Sequence, residues 1–214
     1  MNIKWYGHAC FRLKDTQGTV FTDPFPMKGI GYSRPRTKAE IVTISHDHPN
    51  HASLDGFTNE PYVITRPGEY EVNGIFVTTI RTYHDDEKGN QRGYNNITLV
   101  QFDDLSVCHL GDLAHLLTQS DVEKLNEVDV LLVPVGGANG NTLNAAQAAE
   151  VISLIEPYYV VPMHYQTEVH SGGLDSLDKF LKEMGTSSPE VLDELKVSRS
   201  TLPEETQVVV LGYS

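Results

Sequence analysis

Three histidines within six residues, directly after a run of buried-strand character, constrain this chain more than any other feature of its sequence. The segment reads Ser45-His46-Asp47-His48-Pro49-Asn50-His51, and residues 41–44 before it are all apolar or β-branched. In an extended segment residues i and i+2 face the same way, so His46 and His48 can reach one point. Pro49 then turns the chain and lets His51 approach from another angle. Imidazole nitrogens in such an arrangement suit a transition-metal ion. The plainer alternative is a polar loop that happens to be rich in histidine; the spacing and the preceding strand favour a metal site.

The elements around this segment read as strands first and helices later. Residues 2–5, 10–14, 19–22, 41–44, 62–65, 75–82, 97–102 and 105–109 are short apolar runs bounded by turn residues. Two more runs, 130–135 and 158–162, have the uninterrupted apolar character of buried strands, and a last strand is expected at 207–211. Ser120-x-x-Glu123 reads as a capping box for a short helix through Leu125. A second helix begins near Asn144, with Ala148, Val151, Ile152 and Ile155 on one face and Pro157 to end it. Leu174, Leu177, Phe180, Leu181 and Met184 give a third amphipathic stripe. Strands followed by alternating strands and helices predict two sheets covered by helices. No repeat or linker splits the chain, so a single domain over residues 1–214 is expected.

Charge and cysteine usage narrow the function. The net charge of −13 repels polyanions, so nucleic acid is not expected as a partner. A small basic island, Lys28, Arg34, Arg36 and Lys38, could attract an anionic group, or simply be a solvated loop. Cys10 and Cys108 sit far apart in apolar runs and read as buried free thiols. No apolar run reaches membrane-spanning length, and residues 1–5 do not resemble a secretion signal, so a cytoplasmic protein without membrane contact is expected. The Gly136–Asn141 stretch is glycine-rich after a strand. It could shape a pocket or serve as a plain connection, but it lacks the P-loop lysine and the dinucleotide-binding spacing.

Further pieces fall in a telling order. Trp5-Tyr6-Gly7-His8 with Cys10-Phe11, Thr22-Asp23-Pro24, the histidine cluster, Tyr83-His84, Gly111-Asp112 and Pro162-Met163-His164-Tyr165 follow one another along the chain. Together they resemble the metallo-β-lactamase superfamily, and in particular its small hydrolases similar to L-ascorbate-6-phosphate lactonase. The resemblance runs from about residue 1 to 165. It implies an α/β (α+β) fold, a four-layer αββα sandwich, and a metal-dependent hydrolase acting on a small ester, lactone or phosphoester. It further implies one ion held by His46, His48 and His84 and a second held by His51 and His164, with Asp112 bridging them. Zinc is the expected metal, one or two ions, with manganese, iron or nickel as alternatives. Asp23 is expected to orient a ligand histidine from behind, and His8 and His109 to stand near the site without being donors. On their own, His84 could be a solvated loop residue, Asp112 a turn cap and His164 a core histidine. His115 and His170 read as packing or surface residues.

One position departs from the family pattern: Asn50 stands where an aspartate is usual. An amide carries no negative charge and cannot act as a base at neutral pH. Hydrolysis survives in principle, because a metal ion can lower the pKa of a bound water to about 7. Asp112 would then steer the water or carry a proton, and the Asn50 amide would orient it by a hydrogen bond. Two rival readings follow: a non-catalytic metal- or ligand-binding protein with a partly degenerate site, and a nuclease or phosphodiesterase of the same fold. The expected substrate is a small molecule, anionic if the basic island contributes, and the resemblance admits a homo-oligomer.

Overall fold

The computed structural model describes residues 1–137, 140–170, 172–187 and 189–213. In chain order the first strands are β1 (Asn2–Gly7), β2 (Cys10–Asp15), β3 (Gly18–Thr22), β4 (Lys28–Gly29), β5 (Tyr32–Ser33), β6 (Ile41–Thr43) and β7 (Tyr62–Ile64). There follow β8 (Gly68–Val72), β9 (Ile75–Tyr83), β10 (Tyr94–Phe102), β11 (Leu105–His109), α1 (Gln119–Glu123), β12 (Val130–Pro134), α2 (Ala145–Ile155) and β13 (Tyr159–Met163). The chain closes with α3 (Leu177–Glu183), β14 (Val191–Leu192), β15 (Leu195–Lys196), β16 (Gln207–Val208) and β17 (Val210–Leu211).

Two sheets face each other. One has the order β15-β1-β2-β3-β6-β7, the other β16-β13-β12-β11-β10-β9-β8. Period-two alternation explains the packing of the first sheet. Trp5, Phe11, Val20 and Ile41 enter the main core between the sheets, while their neighbours Tyr6, Cys10, Phe21 and Val42 form a smaller cluster with Phe25 and Tyr32. That smaller cluster is covered by loop rather than helix. Arg34 pins the loop by donating to the carbonyls of Phe25 (2.7 Å), Ser53 (3.3 Å) and Asp55, and it lies over the Phe57 ring. In the second sheet β11, β12 and β13 run parallel and are buried throughout except at Tyr159, as uninterrupted apolar strands should be. Ala148, Val151 and Ile152 of α2 and Phe180 and Leu181 of α3 join the main core on this side. Among the described residues no helix is long and apolar enough to cross a membrane.

Several details differ from the sequence-based expectation. The capping box belongs to Thr118 and Asp121, two residues earlier than Ser120 and Glu123, because Thr118 Oγ1 and Asp121 Oδ2 reach each other's backbone N–H. The strand expected at 207–211 is two short pieces in different sheets. The third helix starts at Leu177, so Leu174 lies outside it. Gly68–Val72 forms an antiparallel edge strand not expected from the sequence, although Glu69-Tyr70-Glu71-Val72 alternates and turns Tyr70 and Val72 to the core. The basic island does not act as a unit: Arg34 is buried and spent on carbonyls, while Arg36 and Lys38 are exposed. The side chain of Lys28 lies outside what the structure describes.

The ends of parallel strands do the positioning. β3 and β6 run parallel and stop at Thr22 and Thr43, delivering Asp23 and the histidine cluster. β11 and β13 deliver Asp112 and His164 from the facing sheet, and β9 delivers His84. Open α/β sheets bind their ligands at this carboxyl end.

Candidate metal centre

Asp112 is the hub. Its Oδ2 lies 3.9 Å from His46 Nε2, 3.5 Å from His51 Nε2, 3.5 Å from His84 Nε2 and 3.4 Å from His164 Nε2. These separations are too long for good hydrogen bonds. Two donors on one tetrahedral zinc stand about 3.4 Å apart, given bond lengths near 2.1 Å. Most of the contacts therefore have the spacing of atoms that share an ion. His46, His84 and Asp112 offer one group of donor atoms within 4.8 Å of one another, and His46, His48 and His51 offer another. Asp112 Oδ1 is buried without a hydrogen-bond partner among the described residues, as are Nδ1 of His84 and of His164. Buried polar atoms are rarely left so. The donor set fits a metal ion.

The rings are aimed from behind. Asp23, buried, accepts from the Ser45 backbone N–H (2.7 Å), the Ser45 hydroxyl (2.5 Å) and His51 Nδ1 (2.9 Å). Since the carboxylate only accepts, the Ser45 hydroxyl must donate to it, and Ser45 Oγ is left to accept from His46 Nδ1 at 2.9 Å. Both imidazoles thus carry a proton on Nδ1 and turn Nε2 towards Asp112. The aspartate itself is held by Asn95, whose Oδ1 accepts from the Asp112 N–H (2.9 Å) while its amide donates to Leu110 O and Thr82 Oγ1.

Electrostatics matches this wiring. Burial pulls His46 down to about 3, helped by the neighbouring His51, so its ring is neutral at pH 7. His84 is also lowered by burial. For His51 burial pulls the same way, but the Asp112 charge and the bond to Asp23 outweigh it and raise the pKa. Burial would raise Asp112, yet His164 and His51 hold it well below the ordinary carboxylate range.

The remaining histidines divide clearly. His48 is exposed, its ring 5.9 and 5.8 Å from those of His46 and His51, and its Nδ1 takes a 3.3 Å bond from the Asn50 N–H. The segment is not extended there: His48 N donates to His46 O, and His51 N to His48 O. A tight turn, not strand alternation, gathers the cluster. His109 has both nitrogens occupied, donating to Ala9 O (2.9 Å) and accepting from Gly111 N (3.2 Å). It braces the turn before Asp112 and offers no donor. His8, expected only nearby, lies inside the cluster, grouped with His51 and His164. His115 props Tyr83 by accepting its backbone N–H. His170, read as a packing or surface residue, lines the metal cleft.

That cleft has a volume of about 280 Å³ and is bordered by Asn50, Arg92, Asn141, His170 and Leu174 beside the donor residues. His46 also borders an adjoining groove with Ile44, Ala52, Leu54 and Val63 on its floor and Arg66 and Arg81 at its edge. Of the glycine-rich stretch, Gly136 and Gly137 are close-approach positions, where an added Cβ would strike the His164 and Thr142 carbonyls; Ala138 and Asn139 lie outside the described residues. Two residues not anticipated from sequence support the site, Asn95 and Asp85. Asp85 is buried directly after His84 and accepts from the backbone N–H groups of Glu87, Gly89, Gln91 and Arg92. Burial pushes its pKa up, and these four donors more than reverse that.

The geometry defines a class of protein before any comparison is made: a two-sheet sandwich with a histidine-rich metal centre at the strand ends. Residues 2–164 match the family described as the beta-lactamase superfamily domain, and the chain belongs to it. A UPF0173 protein of Pyrococcus abyssi is 28% identical over 207 residues, covering 86% of this chain and 90% of the relative. A UPF0173 metal-dependent hydrolase of Archaeoglobus fulgidus is 27% identical over 202 residues, covering 78% and 84%. A crystal structure from Thermotoga maritima, of a protein proposed to be a Zn-dependent hydrolase of this superfamily, is 37% identical with a TM-score of 0.82, covering 100% of this chain and 99% of that one. With these relatives the chain falls in the enzyme class of metal-dependent hydrolases.

Proposed function

We propose that the chain hydrolyses a small anionic ester, lactone or phosphoester, with zinc as its metal and manganese, iron or nickel as alternatives. The convergence of four imidazole Nε2 atoms on Asp112 Oδ2, at 3.4 to 3.9 Å, carries this reading. His46, His48 and His84 would hold one ion, His51 and His164 would serve a second, and Asp112 faces both sets. A divalent ion bound there supplies Lewis acidity and brings the pKa of water down to about 7, which removes the need for a strong protein base. Asp112 Oδ1, buried and unpartnered among the described residues, is placed to accept a hydrogen bond from that water and to take its proton. Asn50, on the rim, orients water but carries no charge and takes no proton.

Substrate selection falls to the rim. Arg92 and Asn141 border the cleft and offer donors to an anionic group. The apolar floor of the adjoining groove, with Arg66 and Arg81 at its edge, suits a substrate with a short apolar body. The acidic balance of the whole chain makes nucleic acid a poor partner. Cys10 and Cys108 are free and buried, and burial pushes Cys10 up to about 12, so both suit the reducing cytoplasm as the compartment.

The test is a panel of aryl esters, lactones, phosphomonoesters and phosphodiesters assayed before and after chelation. Turnover of at least one substrate should vanish with chelator, return with zinc, and fall at least ~100-fold in His84→Ala. Turnover indifferent to both would overturn the reading. Arg92→Ala should raise KM for anionic substrates several-fold and leave neutral esters of the same shape unchanged; equal effects on both would remove Arg92 from substrate binding.

A further inference from the structure

Asn50 cannot supply the anionic donor that the family pattern offers a second ion, and the fold brings another residue beside His51 and His164. His8 sits in the turn between β1 and β2, 6% exposed, with its ring centroid 4.1 Å from that of His164 and 4.7 Å from that of His51. One ring nitrogen from each of His8, His51 and His164 lies within 4.8 Å of the other two. The backbone holds His8 in place independently of its ring. Its carbonyl accepts from Trp5 Nε1 (3.0 Å) and from the His164 N–H (3.2 Å), and its φ of 54° is a left-handed conformation rare outside glycine. Such strain persists where surrounding structure enforces it and clusters at functional sites. Yet the ring Nδ1 is buried without a hydrogen-bond partner among the described residues. A histidine kept only for packing would have that atom satisfied.

Resting on the metal-centre reading above, we infer that His8 completes the second ion's donors in place of the carboxylate that Asn50 lacks. The set is then His8, His51, His164 and Asp112: three neutral nitrogens and one carboxylate. Exchanging a carboxylate for an imidazole removes one negative charge and softens the site. Nitrogen-rich sets favour zinc, nickel or cobalt over manganese, so the second position should discriminate against manganese more strongly than a carboxylate-rich site would.

Metal content separates this inference from the reading beneath it. The whole chain, prepared without a polyhistidine tag, is loaded with zinc, dialysed, and analysed for ions per chain beside His8→Ala, His8→Asn, Asn50→Asp and the double variant His8→Asn with Asn50→Asp. Asparagine tolerates positive φ, so His8→Asn preserves the turn, and far-UV circular dichroism checks each fold. Wild type should hold about two ions, both His8 variants about one, and the double variant about two again, because the restored carboxylate replaces the lost nitrogen. In manganese alone, Asn50→Asp should hold about one ion more than wild type, because only the second position gains a carboxylate. Two zinc ions retained by folded His8→Asn at unchanged affinity would overturn the role of His8 while leaving the centre intact. A wild type that holds a single ion would also overturn it. A wild type that binds none would overturn the metal-centre reading as well.

Discussion

Single side chains set the protonation of this centre. Asp23 fixes His51 directly and His46 through Ser45, so Asp23→Ala should weaken metal binding about 10- to 100-fold while leaving every donor residue in place. Competition against a chromophoric chelator measures this, and an unchanged dissociation constant would mean that the rings are held by packing alone. The buried imidazoles also give the metal-free protein a pH dependence. His46 is depressed to about 3 from an unfolded value near 6.5, so the unfolded chain takes up the proton first. Its stabilising contribution is complete above pH 6.5 and is lost as pH falls below it. Between pH 7.5 and 5.5 this amounts to about 1.4 kcal/mol from His46. His51, raised instead, opposes this, while His8 and His84, both lowered, add to it. Urea midpoints of the metal-free protein at the two pH values should therefore drop on acidification; no change would mean that these histidines are solvated.

Elements explain what could and could not be read in advance. The candidate donors were legible because His84 and His164 directly follow strands, His46, His48 and His51 crowd together just past Ile41–Thr43, and the order of the motifs resembles the family's. The supports were not. Asn95 lies within a strand and reaches Asp112 only through the register of β10 against β11, and a single asparagine carries no spacing signal. Asp85 stands in Asp85-Asp86-Glu87, which on composition is a solvated charge run, yet it is the core of a closed loop. His8 is expected near the site without being a donor, and only the meeting of the two sheets shows its ring grouped with those of His51 and His164. The Asp85 loop carries its own prediction. Asp85→Ala leaves four backbone N–H groups without their charged acceptor and should cost at least about 2 kcal/mol, read from the denaturant midpoint. The amides of Gly89, Gln91 and Arg92 should exchange much faster; unchanged exchange would show that the loop stands without Asp85.

At the scale of the molecule, the candidate centre draws its residues from both sheets: His8, Asp23 and the histidine cluster from one, His84, Asp112 and His164 from the other. An ion that binds only this assembled state stabilises it by mass action, by about 2.7 kcal/mol at a hundredfold excess over Kd. For a chain of this length that corresponds to a rise of about 5–10 °C in Tm, which calorimetry with and without chelator tests. Equal melting temperatures would mean that the ion adds nothing to the docking of the sheets.

The same geometry orders events during synthesis. His164 is the last donor to be made, so no ribosome-bound fragment ending before it can hold the full set, and loading follows folding. In the interval the imidazoles crowd around Asp112 without an ion between them. A cell short of metal would then carry a population that opens more often along the sheet seam and is cleared faster by proteases. The amount of enzyme, and not only its activity, would follow the metal supply.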